Sequence, residues 1–243
     1  MMSDIVKANL DNLISLWKTA GTPFNAYVET PSFSYCRINN SDWPNRLWFK
    51  EDVTPGTLQA ALDNIGEGKI TIPYWDLYSS GAEEYIVAKG GVKAYEQAGM
   101  SIKLDRPFTG QNSLSYIQVT DKAHAEAWAA LYPRAFGYII SADILVNTCH
   151  DLRFYLAYYN GEPAGTAILH CRDGIAGIHG VGVIPEMRNK GLAREIMVHV
   201  LNEAIALKAS YATLQASKMG LGIYLKLGFT EQFQIRNYRM GNW

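Results

Sequence analysis

The residues best able to do chemistry cluster around one short loop. The run Pro185-Glu186-Met187-Arg188-Asn189-Lys190-Gly191-Leu192-Ala193 carries Arg188 and Lys190 and leads into a helix-like apolar repeat. A helix starting near Gly191 leaves its first N–H groups unpaired, and its dipole adds partial positive charge there. An anion, above all a phosphate, suits such an end. Gly191 lets a backbone come close and take φ > 0, and Pro185 stiffens the entry. Two other phosphate loops are excluded. There is no G-x-x-x-x-G-K-[ST], and Gly180-Val181-Gly182-Val183-Ile184-Pro185 has proline where a third glycine is required. Taken alone, the loop reads equally well as a basic helix cap with a solvated face.

The elements that must position this loop follow from hydrophobic period and turn signals. Apolar residues at Ile5, Val6, Leu10, Leu13, Ile14 and Trp17 have helical spacing. Residues 33–38, 46–50 and 69–78 read as strands, with a Thr-capped helix from Thr54 to Ile65. A short helix is expected near 91–97, then a strand at 100–104. Residues 105–113 are turn-rich and read as a linker. Beyond it the pattern gives a strand at 114–119 and a helix from about Asp121. Two strands then join at Asn160-Gly161, a dipeptide that favours a tight hairpin. A Gly-rich strand (174–183), the helix after Gly191, a strand at 211–217, a short helix at 219–228 and a final strand complete the chain. On the long helix, Leu192, Ile196, Met197, Val200 and Leu201 form one stripe, with Arg194, Glu195, Asn202 and Glu203 off it. No internal repeat is evident.

The 243 residues suffice for two small domains or one large one. With 48% hydrophobic and 19% charged residues and a net charge of -1, nothing pulls the whole chain toward nucleic acid or acidic membranes, so any anion site must be local. Cys36, Cys149 and Cys171 are odd in number and lack metal-ligand spacing, which fits a reduced intracellular protein with no metal. No signal peptide and no run of eighteen apolar residues is present, so a cytoplasmic protein that neither crosses nor binds a membrane is expected.

The segment from Val183 to Ala193 resembles the acetyl-CoA loop of the GCN5-related N-acetyltransferases (GNAT). Arg188, Gly191 and Ala193 fit its Arg/Gln-x-x-Gly-x-Gly/Ala pattern between a strand and a long helix. A second family feature follows in order: a strand, then Ile223-Tyr224-Leu225-Lys226-Leu227-Gly228-Phe229, with Tyr224 at the family's tyrosine. The similarity covers roughly Ser115 to Met240. Ser217 departs from it, standing where many members have Asn. Residues 1 to about 105 resemble, more weakly, the degenerate half of two-part members: residues 95–104 are similar to a Gly-Phe turn followed by a strand, and there is no Arg-x-x-Gly-x-Ala loop. The resemblance implies an α/β acyl-CoA N-acyltransferase fold, with a central mixed, mostly antiparallel sheet flanked by helices. It divides the chain into a smaller N-terminal α/β domain (1–110) and an acetyltransferase domain (111–243).

The implied reaction is acetyl transfer from acetyl-CoA to a primary amine by direct attack. Backbone N–H groups of Arg188, Asn189, Lys190, Gly191, Leu192 and Ala193 would hold the pyrophosphate. Val181 and Val183 would align the pantetheine arm and polarise the thioester carbonyl, with Ser217 on the strand opposite. Tyr224 would protonate the leaving thiolate; its competing reading is a core tyrosine. His179 is the best base, in alternation with Val181 and Val183 and so expected on their face; its competing reading is a structural histidine. His170 is second choice. His124, His150 and His199 read as surface residues, and Cys171 as a buried inert thiol. Tyr74, Trp75 and Asp76 could receive a cationic acceptor or simply pack. An acyl-CoA sensor that has lost its chemistry is the alternative function. The acceptor stays unidentified, and the oligomeric state stays open, a dimer included.

Overall fold

Helical spacing and burial agree from the first element. In α1 (Asp4–Gly21), Val6, Leu10, Leu13 and Trp17 recur at three- and four-residue steps, and all are buried. The computed structural model describes residues 3–241. After α1 come three short strands, β1 (Tyr27–Glu29), β2 (Phe33–Cys36) and β3 (Arg46–Phe49). Next are α2 (Pro55–Ile65), β4 (Ile70–Trp75), α3 (Glu83–Ala88) and β5 (Val92–Lys103). The second half starts with β6 (Leu114–Gln118), α4 (Lys122–Phe136) and α5 (Ala142–Thr148). It goes on through β7 (Arg153–Tyr159), β8 (Glu162–Arg172) and β9 (Ile175–Val183). It closes with α6 (Leu192–Ala206), β10 (Tyr211–Ser217), α7 (Leu221–Leu227) and β11 (Thr230–Met240).

The strands form one sheet in the order β1-β2-β3-β4-β11-β5-β10-β9-β8-β7-β6. It is mixed and mostly antiparallel, flanked by helices, as expected. Its two parallel pairs are β3–β4 and β9–β10. On one face, α1 and α4 share a core with Trp128, Phe154 and Ile168. On the other, α6 packs Ile196, Met197 and Val200 against Ala167, Ala176 and Leu214. Leu58 of α2 and Ile86 of α3 close a third core over β3 and β4.

The succession β-β-β-α-β-α-β occurs twice, from β1 to β5 and from β7 to β11. The two runs exchange their last strands. β5 lies between β10 and β11, and β11 pairs with β4. The helix expected near 91–97 is instead the start of β5, and the helix lies earlier, at α3. Residues 92–96 are exposed, so no burial period marks them. Their state is set by pairing with residues 236–239, far away in sequence.

The linker, 105–113, does lack regular structure, but it is tied down. Asn202 clamps Phe108 through both backbone groups at 2.9 Å. Glu195 is buried, accepting from Ser113 Oγ at 2.6 Å and Leu114 N at 2.7 Å. The polar face of α6 thus anchors the connection between the halves. Among the described residues no helix is long and apolar enough to cross a membrane.

Candidate active site

The chain leaves β9 at Val183, turns through a short 3-10 segment (Pro185–Met187) and enters α6 at Leu192. Asn189 and Gly191 both take left-handed backbone angles, φ 62° and 79°. Such flips turn successive N–H groups toward one side. Among the described residues, the amides of Asn189, Lys190, Gly191, Leu192 and Ala193 donate to no acceptor, and no side chain caps α6. Five open donors at a helix start fit a phosphate-bearing ligand. The cations play a different part from the one expected. Arg188 folds back, with Nε on Val183 O at 3.1 Å and Nη2 on Ala135 O at 3.4 Å, and so braces the loop to β9 and α4. Lys190 Nζ stands 4.8 Å over the Tyr159 ring.

Beside the loop the sheet opens. β9 and β10 pair only at Tyr211↔Ile175, Ala212↔Ala176 and Thr213↔Gly177. Beyond them, 178–183 and 214–217 part, and Ser217 is exposed at the free end of β10. A bulge sits within the opened stretch, between the pairs Thr166↔Gly182 and Ile168↔His179. Gly180 takes φ 56° there, and its carbonyl accepts from Thr166 Oγ1 at 2.9 Å. The extra residue reverses the alternation. Val181 and Val183 pack toward α6, whereas His179 shares the face of Ile168 and α1. The expectation that His179 shares the face of the two valines is therefore corrected.

His179 is half-buried, and its Nε2 has no partner. Asn12 Oδ1, also unpartnered, meets it over Gly177, where a Cβ would lie 1.9 Å from Oδ1 and 2.6 Å from Nε2. Both amide hydrogens of Asn12 go to carbonyls, of His170 and Ile175. Asn9 accepts from Gln215 Nε2 at 2.7 Å and donates to Met100 O at 3.1 Å. Burial, with some repulsion from His170, pushes His179 down to about 3, so its imidazole is neutral at physiological pH. Burial likewise brings His170 to about 4, where Ser15 Oγ is its 3.0 Å partner. These α1 contacts escaped the sequence reading. The signal was there: Asn9, Asn12 and Ser15 recur every third residue on a helix with a wide apolar arc.

Tyr224 lies in α7, one short turn past the end of β10, with its ring over Gly220 and edge-on to Phe229 at 6.0 Å. Among the described residues its hydroxyl has no partner. Burial pushes the phenol up to about 12, so it keeps its proton.

The remaining candidates fall away from the slot. Asp76 faces Arg236 at 3.3 Å and Tyr74 is buried in the α2 core, so that group packs rather than receives a cation. His124 and His150 pair with Asp121 and Asp151. His199 is not a surface residue, for it stacks on Tyr116 at 3.7 Å between ring centroids. Burial raises the Cys171 thiol to about 11, which leaves it inert. A cleft of about 430 Å³, lined by Phe24, Arg37 and Asp143 among others, contains none of the candidate residues. Among the described residues no group of three or more His, Cys, Asp or Glu could hold a metal.

Residues 118–229 match the profile of the acetyltransferase (GNAT) family. Residues 118–229 are thus a GNAT domain. It is an acyltransferase. A GCN5-related N-acetyltransferase from Kribbella flavida superposes with a TM-score of 0.71 at 16% identity, covering 96% of both chains. Another from Sphaerobacter thermophilus gives 0.60 at 15% identity, over 86% of this chain and 76% of its own. At such identities the likeness is one of fold, and with the first it spans both halves of this chain. No curated protein matches the sequence.

Proposed function

We propose that this protein is an N-acetyltransferase that moves an acetyl group from acetyl-CoA to a primary amine by direct attack. The observation that supports it is the row of open amides at 189–193 beside the parted β9–β10 pair. Acetyl-CoA supplies the acetyl group as a thioester. The amides of residues 189–193 would hold its pyrophosphate, with Arg188, whose own amide donates to Pro185 O at 3.2 Å, bracing the loop. Val181, Val183 and Ser217 line the parted strands, where a pantetheine arm would pair. The first half, 1–110, is a degenerate copy that binds no cofactor and shapes the acceptor side of domain 111–243.

The C–N bond forms as the C–S bond breaks, and one proton must leave the amine while one reaches sulfur. Tyr224, protonated and without a partner, is suited to the second transfer. His179 is too weak a base to keep the first proton, so it acts as a neutral acceptor in transit. Its depressed basicity is also the observation that favours the second reading, a non-catalytic acyl-CoA sensor. Both are tested by calorimetric titration with acetyl-CoA and by thiol release across an amine panel. Binding with release supports the enzyme, binding alone the sensor, and no binding sinks both.

The enzyme reading sets the pH profile. A lysine-like acceptor is neutral only above about 10. His179 at about 3 and Tyr224 at about 12 add no inflection between pH 6 and 10. The value of kcat/KM should therefore rise about tenfold per pH unit toward the amine's own pKa. A plateau beginning near 6.5 would show that His179 titrates as an ordinary histidine and carries the proton.

A further inference from the structure

Arg46 has no part in the reading so far. It opens β3 and is half-buried. Its Nη1 donates to Pro44 O at 2.7 Å and Asn45 O at 3.2 Å, and its Nη2 to Tyr95 Oη at 3.0 Å. Among the described residues no carboxylate pairs with it, whereas Arg236 takes both Asp76 and Glu83. A guanidinium has five donors, so donors remain open here. A cation partly withdrawn from water without a counter-charge is unfavourable until an anion arrives.

What surrounds it is mainly aromatic, with the Asp42 carboxylate, which accepts from Ile139 N at 2.8 Å, also within electrostatic reach of Tyr138. Tyr132 stacks on Phe136 at 4.3 Å, and Tyr138 stands edge-on to the two rings at 5.2 and 6.1 Å. The hydroxyls of Tyr132 and Tyr138 are hydrogen-bonded to each other and within electrostatic reach of Arg46. At its other end this wall meets the bulged strand. A Cβ on Gly182 would lie 2.4 Å from the Phe136 ring, and one on Gly180 3.3 Å from Tyr132. Rings thus run from the parted strands to an unpaired cation supplied by the other half of the chain.

Resting on the acetyltransferase reading of the slot, we propose that Arg46 anchors a carboxylate of the acceptor, while Phe136 and Tyr138, backed by the buried Tyr132, hold its apolar body. The acceptor class is then an amine that also carries a carboxylate and an apolar or aromatic group. Arginine suits this because its planar fork matches a carboxylate. A ring wall with one placed charge is how small-molecule sites fix orientation.

The test uses 3-phenylpropionate and its neutral amide as probes, titrated into the full chain and into Arg46→Gln. The acid should bind the unaltered protein at least tenfold more tightly than the amide does. That preference should vanish in Arg46→Gln and survive in part in Arg46→Lys. Equal affinity of acid and amide in the unaltered protein would overturn the proposal even if Arg46→Gln failed to fold, and so would absence of acid binding. An undiminished preference in folded Arg46→Gln would overturn it too. Acetyl-CoA titrated into the same proteins should bind all alike. Its failure to bind the unaltered chain would count against the acetyltransferase reading, while the acid and amide titrations would still report on Arg46.

Discussion

The starts of α2 and α6 hold the same place in the two runs of the fold, each after a strand that parts from its parallel neighbour. β3 and β4 share one pair, Arg46↔Thr71, and β9 and β10 share three. The backbones differ in what they leave open. At α2, Val53 N goes to Asp52 Oδ1, Thr54 and Thr57 cap each other reciprocally, and Pro55 has no N–H to offer. From Val53 to Leu58 only the Gly56 amide is free among the described residues. Glu51 and Asp52 precede the helix, where they would repel a phosphate. At α6, five amides in a row are free. A helix dipole alone therefore does not make an anion site. Its N–H groups must also be unspent, and here the side chain that spends them is a threonine at the cap.

The comparison breaks most visibly at the proton donor. Changing Tyr224 to Phe should cut turnover by about 10² to 10⁴ while changing acetyl-CoA affinity little, since the proton matters only as the thiolate leaves. The corresponding short helix α3 carries Tyr85, which is exposed. Tyr85→Phe should leave steady-state rates unchanged. Equal rates in all three proteins would return Tyr224 to a packing role.

A smaller effect is expected at the loop. Gly191→Val forces a β-branched residue into the left-handed region, costing about 1–2 kcal/mol where nothing else crowds it. Acetyl-CoA binding by calorimetry should weaken roughly tenfold or more, with the circular-dichroism spectrum retained. Unchanged affinity in a folded variant would remove the loop from the binding site.

The smallest effect sharpens the contrast from the other side. Thr54→Ala should lower stability by about 1 kcal/mol in urea titration, the worth of a cap. It should still leave one acetyl-CoA bound per chain. A second equivalent appearing in that variant would show that capping alone had silenced the first half.

Local signals were read well from the sequence, and long-range ones were not. The Asn160-Gly161 hairpin and the helix starts at Asp121 and Gly191 all depend on a few adjacent residues, and each stands where expected. The strand expected at 100–104 is the end of β5, but its start at 92–97 was misread as a helix, because its partners lie more than a hundred residues away. The two-residue alternation correctly put Val181 and Val183 on one face but misplaced His179, because a bulge at Gly180 has no reliable signature in a strand already rich in glycine. The contribution of α1 to the slot needed tertiary structure altogether, since Asn9 and Asn12 acquire meaning only against Gln215 and Gly177.

The exchange of β5 and β11 sets the order in which the molecule can be assembled on the ribosome. Trp75 pairs with Ile235, roughly 160 residues later. As it emerges, β4 has only the single bridge to β3 along its length, with its other edge uncovered. Its partner arrives only once nearly all of the second half has been synthesised. The half without a cofactor loop is thus the last to be completed, and until then it is the part most in need of a chaperone.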